Sequence, residues 1–259
     1  MNKLKIFSLE KLFQRERLLT AAGFVMLLAG WQVLSLNMHE IILASPAQTI
    51  SALWNMLGTS YWIDHSLITL HRISLGIALG GTGGFVLGLG AGLSKDIKCL
   101  LEPLRWLIMS VPPVIIVVLA MLWLGMGSNM AIFIVSVMVA PNIFINTAKG
   151  IEMVDKNLVE MSHLYKFNFF MLVKDVYIPA IAGPLSAAVV MVTCQGARVV
   201  VMAELLGAND GIGYALGVTR SNLEIPELFA WVLTSLAIVG VFEFILFQPI
   251  QNRFMGKKR

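Results

Sequence analysis

The stretch GIALGGTGGFVLGLGAG, residues 76–92, contains eight glycines in seventeen positions and no Asp, Asn or Pro. Each glycine inside a helix in water costs about 1 kcal/mol relative to alanine, and a glycine in a strand leaves nothing to pack. Three structures tolerate so many glycines: a loop that holds a phosphate, a flexible linker, and a membrane helix packed closely against its neighbours. The composition of the whole chain decides between them.

The composition is that of an integral membrane protein. Of the 259 residues, 58% are hydrophobic and 13% are charged, whereas soluble domains are typically about 45–50% apolar and about 25% charged. The phosphate-loop motif G-x-x-x-x-G-K-[ST] does not occur. Cys99 and Cys194 lie far apart and fit no metal or redox spacing. These observations favour a closely packed membrane helix and predict no cofactor.

Six segments are apolar enough, and close enough to the roughly 20 residues that a helix needs, to cross a bilayer. The turn-like GMGSN at 125–129 separates the third from the fourth. The sequence therefore predicts an all-α integral membrane protein with a single transmembrane domain over 18–255, a preceding arm over 1–17 and a basic tail over 256–259. The predicted spans are 18–36, 72–94, 104–125, 129–148, 180–206 and 228–250.

The basic residues predict the orientation of these spans. Sixteen of the nineteen Lys and Arg lie in the arm, the tail and the second and fourth connections, on one side of the membrane. Arg72, assigned here to a helix mouth, and Arg220 are the basic residues of the opposite connections. The positive-inside rule therefore places both termini in the cytoplasm. The basic character reflects topology, and no nucleic-acid partner is expected.

Two local patterns predict structure outside and inside the bilayer. In the outer loop 44–57, Ser45, Pro46 and Gln48 form a capping-box pattern that predicts a short surface helix. In the second span, glycines recur every four residues, and each step overshoots a helical turn by about 40°. Because the stripe winds around the helix, it cannot serve one straight seam, and we expect this helix to lie between at least two neighbours. Its members are Gly76, Gly80, Gly84, Gly88 and Gly92.

The connection between the fourth and fifth spans, residues 152–178, has helical periodicity instead of linker composition. Apolar residues at 158, 161, 164 and 165, and again at 169, 172, 173 and 176, follow helical spacing. Asn157 is a candidate N-cap, and Pro179 marks the entry to the fifth span. The pattern predicts a helical hairpin on the cytoplasmic face, which either rests on lipid or docks a cytoplasmic partner.

At this point the chain resembles the permease subunits of bacterial ABC importers. Their signature E-A-A-x3-G-x9-I-x-L-P aligns with Glu160, Met161, Ser162, Lys166 and the run Val176–Pro179. Met161-Ser162 replaces Ala-Ala, and Lys166 stands where glycine usually allows a sharp bend. Five further stretches resemble the nitrate/sulfonate/taurine branch of these permeases: LASPAQTISALW (43–54), TLHRISLGIALG (69–80), SVPPVIIVVLAMLWLGMG (110–127), APNIFINT (140–147) and MAELLGANDGIGYAL (202–216).

The resemblance implies an inner-membrane importer built from two permease copies, two cytoplasmic ATPase subunits and an extracytoplasmic binding protein. ATP binding would move the hairpin, and the pathway for a small anionic solute would alternate between its two openings. The chain itself would hydrolyse nothing. The residues implied to couple it to the ATPase are Glu160, Met161, Ser162, Tyr165, Lys166, Phe169, Phe170 and Pro179.

Ionisable groups inside a bilayer are candidates for function. Arg198 lies in the outer third of the fifth span, Gln195 precedes it by one turn, and Glu243 in the sixth span lies at a different depth. Arg198 and Gln195 could line an anion path; alternatively Arg198 extends to the outer interface or pairs with Glu204 of a second copy. Prolines that remove backbone donors could also mark the path or simply kink helices: Pro112, Pro113 and Pro141.

Two other functions compete with this one. An ion-coupled secondary transporter or channel normally needs intramembrane acids or broken helices. An intramembrane enzyme needs a nucleophile with a base, or a metal cluster, at membrane depth, and no G-x-S-x-G motif occurs. A requirement of uptake for a separate ATPase distinguishes the importer from the first alternative.

Overall fold

The computed structural model describes the backbone of residues 2–241, and the side chains from residue 18 onward except those of residues 156, 163 and 169. The helices found there are α1 (Asn2–Asn37), α2 (Pro46–Met56), α3 (Ser60–Leu93), α4 (Lys95–Ser110), α5 (Pro113–Leu124), α6 (Ser128–Glu152), α7 (Lys156–Leu164), α8 (Phe169–Leu172), a π-helical turn (Val173–Tyr177), α9 (Ile178–Gly207), α10 (Ile212–Ser221) and α11 (Ile225–Val241).

The all-α membrane fold predicted from the sequence is confirmed over these residues, which contain no strand. Four helical stretches are long and apolar enough to cross a membrane: Leu18–Asn37, α3, α6 and Phe170–Gly207. The α4–α5 pair qualifies as a broken span, and α11 is a shorter apolar helix. The predicted end of the sixth span at 242–250, with Glu243, and the tail 256–259 lie outside the described residues.

The third span, predicted as one helix over 104–125, is instead bent by 102° between α4 and α5. The break falls at Val111-Pro112, both of which have extended ψ angles, and Pro113 is the first residue of α5. A proline disfavours the helical conformation of the residue before it and offers no backbone N–H. Two adjacent prolines therefore end one helix and begin the next.

Several helix boundaries follow from local capping. The capping box at Ser45 is present, since its hydroxyl accepts from the Gln48 amide and the Gln48 side chain accepts from the Ser45 amide. α3 begins at Ser60, well before the predicted boundary at 72, because Thr59 caps it by accepting from the Trp62 amide. Gly125 and Gly127 have φ angles of 73° and 119°, which only glycine adopts readily, and form the turn between α5 and α6.

The five regularly spaced glycines of α3 all face α6. A Cβ at Gly88 would lie 2.7 Å from the Phe144 carbonyl oxygen, and one at Gly76 would lie 2.5 Å from the Val135 Cβ. Gly80, Gly84 and Gly92 face Ser136, Ala140 and Ile151 in the same way. The stripe itself therefore serves one seam, whereas its winding predicted more than one. The expectation that this helix lies between at least two neighbours is confirmed, because α3 also packs against α4 and α9. The α6 residues whose backbone the stripe meets recur every four positions, at Ile132, Ser136, Ala140 and Phe144, so one four-residue row nests along another.

The core of the protein is centred on α6. Buried residues of α6, including Met130, Ile134 and Val139, pack with Val117 of α5 and with Val192 and Val200 of α9. The Ser136 hydroxyl also donates to the Gly76 carbonyl across the α3–α6 seam, at 3.1 Å. By contrast, no residue of α1 from Leu18 to Asn37 is buried. The Trp31 indole attaches α1 to the loop before α2 by donating to the Ala44 carbonyl at 2.9 Å.

Replacing Gly84 with leucine is expected to separate α3 from α6. A Cβ at this position meets the backbone of Ala140, which cannot rotate away, so we expect a loss of at least about 3 kcal/mol of stability. The measurement is thermal unfolding of the purified protein in detergent. Gly83→Leu is the matched control, because nothing lies within 4 Å of a Cβ at Gly83. Equal melting temperatures for the two variants would contradict the seam.

Candidate functional site

The segment between α6 and α9 is an ordered helical hairpin. Asp155 caps α7, since its carboxylate accepts from the Asn157 amide at 2.9 Å; the prediction that Asn157 is the cap is wrong by two residues. Asn168 caps α8 by accepting from the Met171 amide at 2.8 Å. Asx side chains at both helix starts satisfy amides that otherwise lack partners, and so each helix begins at a defined residue.

The bend between α7 and α8 is centred on Lys166. Its φ angle is 54°, in the left-handed region that glycine favours at the end of a helix. The Phe167 amide donates to the Ser162 carbonyl at 2.9 Å, which is the long bond of a Schellman motif. A sharp turn is therefore present although lysine occupies the position where glycine is usual. A non-glycine residue in this conformation costs about 1–2 kcal/mol.

The hairpin exposes apolar side chains that no described residue covers. Tyr165 and Phe170 are 72% and 73% exposed, Met161 is 48% exposed, and Leu164 is exposed as well. These four side chains are called the coupling surface below. Glu160, Lys166 and Pro179 are also exposed. Ser162 is 2% exposed, which contradicts its assignment to a contact with a partner: its hydroxyl bonds to the Val159 carbonyl, and the position requires a small residue.

The hairpin is joined firmly to the two helices on either side. The side chain of Phe169 lies outside the described residues, but the backbone continues from α8 through the π-helical turn directly into α9. Ile151 at the end of α6, Tyr177 in the turn and Ile181 in α9 form one buried cluster. A displacement of the hairpin would therefore be transmitted to α9.

A polar cleft lies beside the broken α4–α5 pair. It has a volume of about 140 Å³ and is lined by residues of four helices: Ile108, Met109, Val111, Pro113, Met138, Pro141, Asn142 and Gln195. The Asn142 amide donates to the Gln195 carbonyl oxygen at 2.9 Å, which joins α6 to α9. Of the residues predicted to line a path, Gln195, Pro113 and Pro141 meet here, and Pro112 precedes Pro113 in the break.

Arg198 does not line this cleft. Its side chain is exposed, and its Nε donates to the Cys194 carbonyl one turn earlier in α9, at 3.1 Å. The suggestion that it pairs with Glu204 of a second copy is also wrong, because Glu204 is buried against Arg72 of its own chain. One turn separates Gln195 and Arg198 in sequence, yet their side chains lie in different surroundings.

A buried ion pair that the sequence did not reveal joins α3 to α9. Arg72 is 0% exposed, so its assignment to a helix mouth is wrong. Its NH1 donates to the Glu204 carboxylate at 2.8 Å, and its NH2 also pairs with Asp210. The guanidinium further donates to the Ser128 hydroxyl at the start of α6. From the first half of α3, this one arginine thus joins the start of α6 to the last turn of α9.

The same cluster holds the connection between α9 and α10. The amide of Gly211 donates to His65 Nδ1 at 2.8 Å, that of Ile212 to the Thr69 hydroxyl at 2.9 Å, and that of Gly213 to Glu204 at 3.0 Å. Because a buried amide without a partner is costly, side chains of α3 and α9 satisfy the three amides in turn. This arrangement fixes where α10 begins.

The signal that could have found the cluster is present in the sequence. Arg72 is the one charge in the apolar stretch TLHRISLGIALG, and MAELLGANDGIGYAL contains two carboxylates, Glu204 and Asp210. A charge there needs a partner of opposite sign. The two positions are 132 residues apart, however, and no spacing rule links them.

A family model described as the inner membrane component of binding-protein-dependent transport systems matches residues 84–257, more than half of the chain. The chain belongs to this family. It is 31% identical over 200 residues to the putative aliphatic sulfonates transport permease protein SsuC of Escherichia coli, covering 76% of each chain.

The chain is also similar to a second permease and to a chain of a solved structure. The nitrate import permease protein NrtB of Synechococcus elongatus is 25% identical over 197 residues, covering 72% of this chain and 71% of that one. A chain in the crystal structure of a bacterial ABC transporter for import of the polysaccharide alginate aligns with a TM-score of 0.63 at 14% identity. The alignment covers 97% of this chain and 100% of that chain, and at this identity it shows the fold of this inner-membrane component.

Removing one member of the buried ion pair is expected to destabilise the protein strongly. Glu204→Met leaves the Arg72 charge without its buried partner, which costs about 3–5 kcal/mol. The double variant Arg72→Met with Glu204→Met removes both charges and is expected to be more stable than either single variant. Thermal unfolding in detergent measures all three.

The matched control is Asp210→Asn, because the Asp210 side chain is 44% exposed and water can replace its contact. We expect a loss of about 1 kcal/mol or less from this variant. The interpretation fails if Asp210→Asn is as destabilising as Glu204→Met.

Proposed function

We propose that the chain is the permease subunit of an ATP-driven importer that takes up a small anionic solute of the sulfonate or nitrate type. The family match supports the class of transporter, and the names of the sulfonate and nitrate permeases support the class of solute. An extracytoplasmic binding protein delivers the solute, two copies of the chain form the path, and two cytoplasmic ATPase subunits supply the energy. Both termini face the cytoplasm, as the distribution of basic residues indicates.

The coupling surface carries this proposal. Four large apolar side chains stand exposed on a short hairpin that is capped at both helix starts and bent at Lys166. Exposed apolar groups on an ordered segment are typical of a docking site. The ATPase would grip Met161, Tyr165 and Phe170, with Glu160 and Lys166 at the rim, while Ser162 packs inside the hairpin.

The contacts of the hairpin suggest how the ATPase drives transport. The buried cluster of Ile151, Tyr177 and Ile181 links the hairpin to α6 and α9, and α9 carries Gln195. When ATP draws the two ATPase subunits together, the hairpin would move with them and shift α9 relative to α4 and α5. The cleft around Gln195 and Asn142 would then open to one side and close to the other.

The polar cleft suits the passage of a small oxyanion. The two amide side chains can donate hydrogen bonds without placing a fixed positive charge in the path, so that an anion can leave again. Pro112 and Pro113 beside the cleft interrupt the α4–α5 span, and irregular backbone at membrane depth is tolerated where it lines a cavity. Arg198 lies exposed outside this cleft. It would contact the solute only where the path runs between two permease copies.

The alternative of an ion-coupled transporter is less well supported. The broken α4–α5 span is compatible with such a transporter, but ion coupling would also need an acidic group able to bind and release a cation inside the membrane. Glu204 is buried, but it is occupied by Arg72, the Thr69 hydroxyl and the Gly213 amide. Its contacts therefore suit a structural role better than reversible ion binding.

Placing charge on the coupling surface is expected to detach the ATPase. In the double variant Met161→Arg with Phe170→Arg, two desolvated apolar contacts become buried charges, and we expect the yield of copurified ATPase to fall at least tenfold. The control is Trp54→Arg, which also replaces an exposed apolar side chain, in α2. Undiminished copurification with the double variant, at normal permease expression, would remove the docking role.

Replacing Gln195 with leucine is expected to slow uptake without weakening assembly. The side chain keeps a similar size, but the cleft loses the hydrogen bond to Asn142 and one polar group toward the solute. We expect a drop in uptake of about tenfold, the order of one hydrogen bond to a charged group. Uptake of radiolabelled sulfonate or nitrate into vesicles containing the whole transporter measures it, and Gln195→Asn tests partial rescue. Normal uptake by Gln195→Leu would exclude the cleft as the path.

A further inference from the structure

A second polar cavity lies between the beginning of α4, near Lys95, and the end of α6, near Glu152. It has a volume of about 290 Å³, and its charged lining consists of Lys98, Glu102, Arg105 and Lys149. Phe144 forms part of the wall. The coupling surface and the Gln195 cleft do not include these charged residues, and the transport mechanism proposed above does not use them.

When Glu152, which pairs with Lys98 from outside the lining, is counted, the three cations of the cavity exceed the two carboxylates by one positive charge. Glu102 binds Arg105, with an Nε–Oε2 distance of 3.1 Å, and Lys98 binds Glu152 at 2.5 Å. Among the described side chains, no carboxylate forms an ion pair with Lys149, which is exposed. The site is therefore complementary to a single negative charge.

An apolar cleft continues directly from this cavity. It has a volume of about 60 Å³ and is lined by Leu87, Leu101, Leu104 and Ile108, among others, while Arg105 and Phe144 border both spaces. The combined site has one charged end and one apolar end. Its shape and chemistry match an amphiphile better than a free anion, which would gain nothing from the apolar end.

The cleft opens on an apolar outer surface of this chain, and it shares Ile108 and Pro141 with the Gln195 cleft. No residue of α4 is buried, and Leu100, Trp106 and Leu107 point outward at 56–77% exposed. Tryptophan near a cation is typical of the level of the lipid headgroups. Basic pockets between membrane helices on the cytoplasmic side attract anionic headgroups.

We propose that this site binds one anionic glycerophospholipid. The phosphodiester lies in the cavity near Lys149, with Lys98 and Arg105 beside it, and an acyl chain follows the cleft between α4 and α6. A bound lipid would fill the space between α4 and α6, and would hold α4 against the α3–α6 seam. The proposal does not depend on which solute is transported.

The test uses the assembled transporter, permease with its ATPase, after removal of endogenous lipid by detergent. Binding of phosphatidylglycerol is titrated by native mass spectrometry and compared with phosphatidylcholine of the same acyl chains. We expect phosphatidylglycerol to bind at least fivefold more tightly. Lys149→Gln is expected to weaken it about fivefold, the effect of one lysine near an anionic headgroup. Leu104→Asn, in the cleft, is expected to weaken both lipids.

The matched control is Lys174→Gln, which removes an exposed lysine on the predicted cytoplasmic face but outside the cavity, and it is expected to leave lipid binding unchanged. Three outcomes would overturn the proposal. Lys149→Gln could behave like Lys174→Gln, or the two lipids could bind equally. Alternatively, sn-glycerol phosphate could displace the lipid at equal concentration, which would identify the site as one for a soluble anion. Absence of lipid binding in the assembled transporter would also refute it, since a protein segment then covers the site.

Discussion

The close approach of α3 and α6 is the constraint on which the rest of the structure depends. In lipid, apolar side chains gain little by leaving one apolar environment for another, so helices associate through packing contacts. Glycines every four residues bring the backbone of α3 against the backbone of α6, where any side chain would collide. Because α6 is also the helix around which α5 and α9 pack, the position of every element of the core follows from this seam.

The buried Arg72 network adds direction to that packing. A glycine seam permits helices to slide, because it contains few directional bonds. The guanidinium instead fixes the first half of α3 against Glu204 of α9 and Ser128 of α6, at defined hydrogen-bond distances. Burial raises the cost of breaking these bonds, since each charge would remain without water or partner. The pair therefore determines the register in which α3, α6 and α9 meet.

In the proposed mechanism, the parts that move against the α3–α6 seam are α9 and the hairpin that precedes it. α9 carries Gln195 in its middle, joins the Arg72 network at one end and continues into the hairpin at the other. The hairpin retains its bend at Lys166 because the hydrogen bonds of the Schellman motif enforce a left-handed residue, whatever its side chain. A signature whose residue identities have changed can thus keep its geometry. Backbone hydrogen bonds define the turn, and glycine only lowers the free-energy cost of the left-handed conformation.

The sequence by itself determined the class of the protein, because apolar runs and the placement of basic residues are local properties. It also determined the ordered hairpin after the fourth span, through its periodicity and its spacing of Glu160 and Pro179. Only the tertiary structure decided which residues meet. It shows that the glycine stripe contacts one helix, that the partner of Glu204 is Arg72 instead of Arg198, and that Ser162 is buried. These contacts join residues far apart in the chain, and their partners depend on how helices cross and rotate, which no periodicity within a single helix encodes.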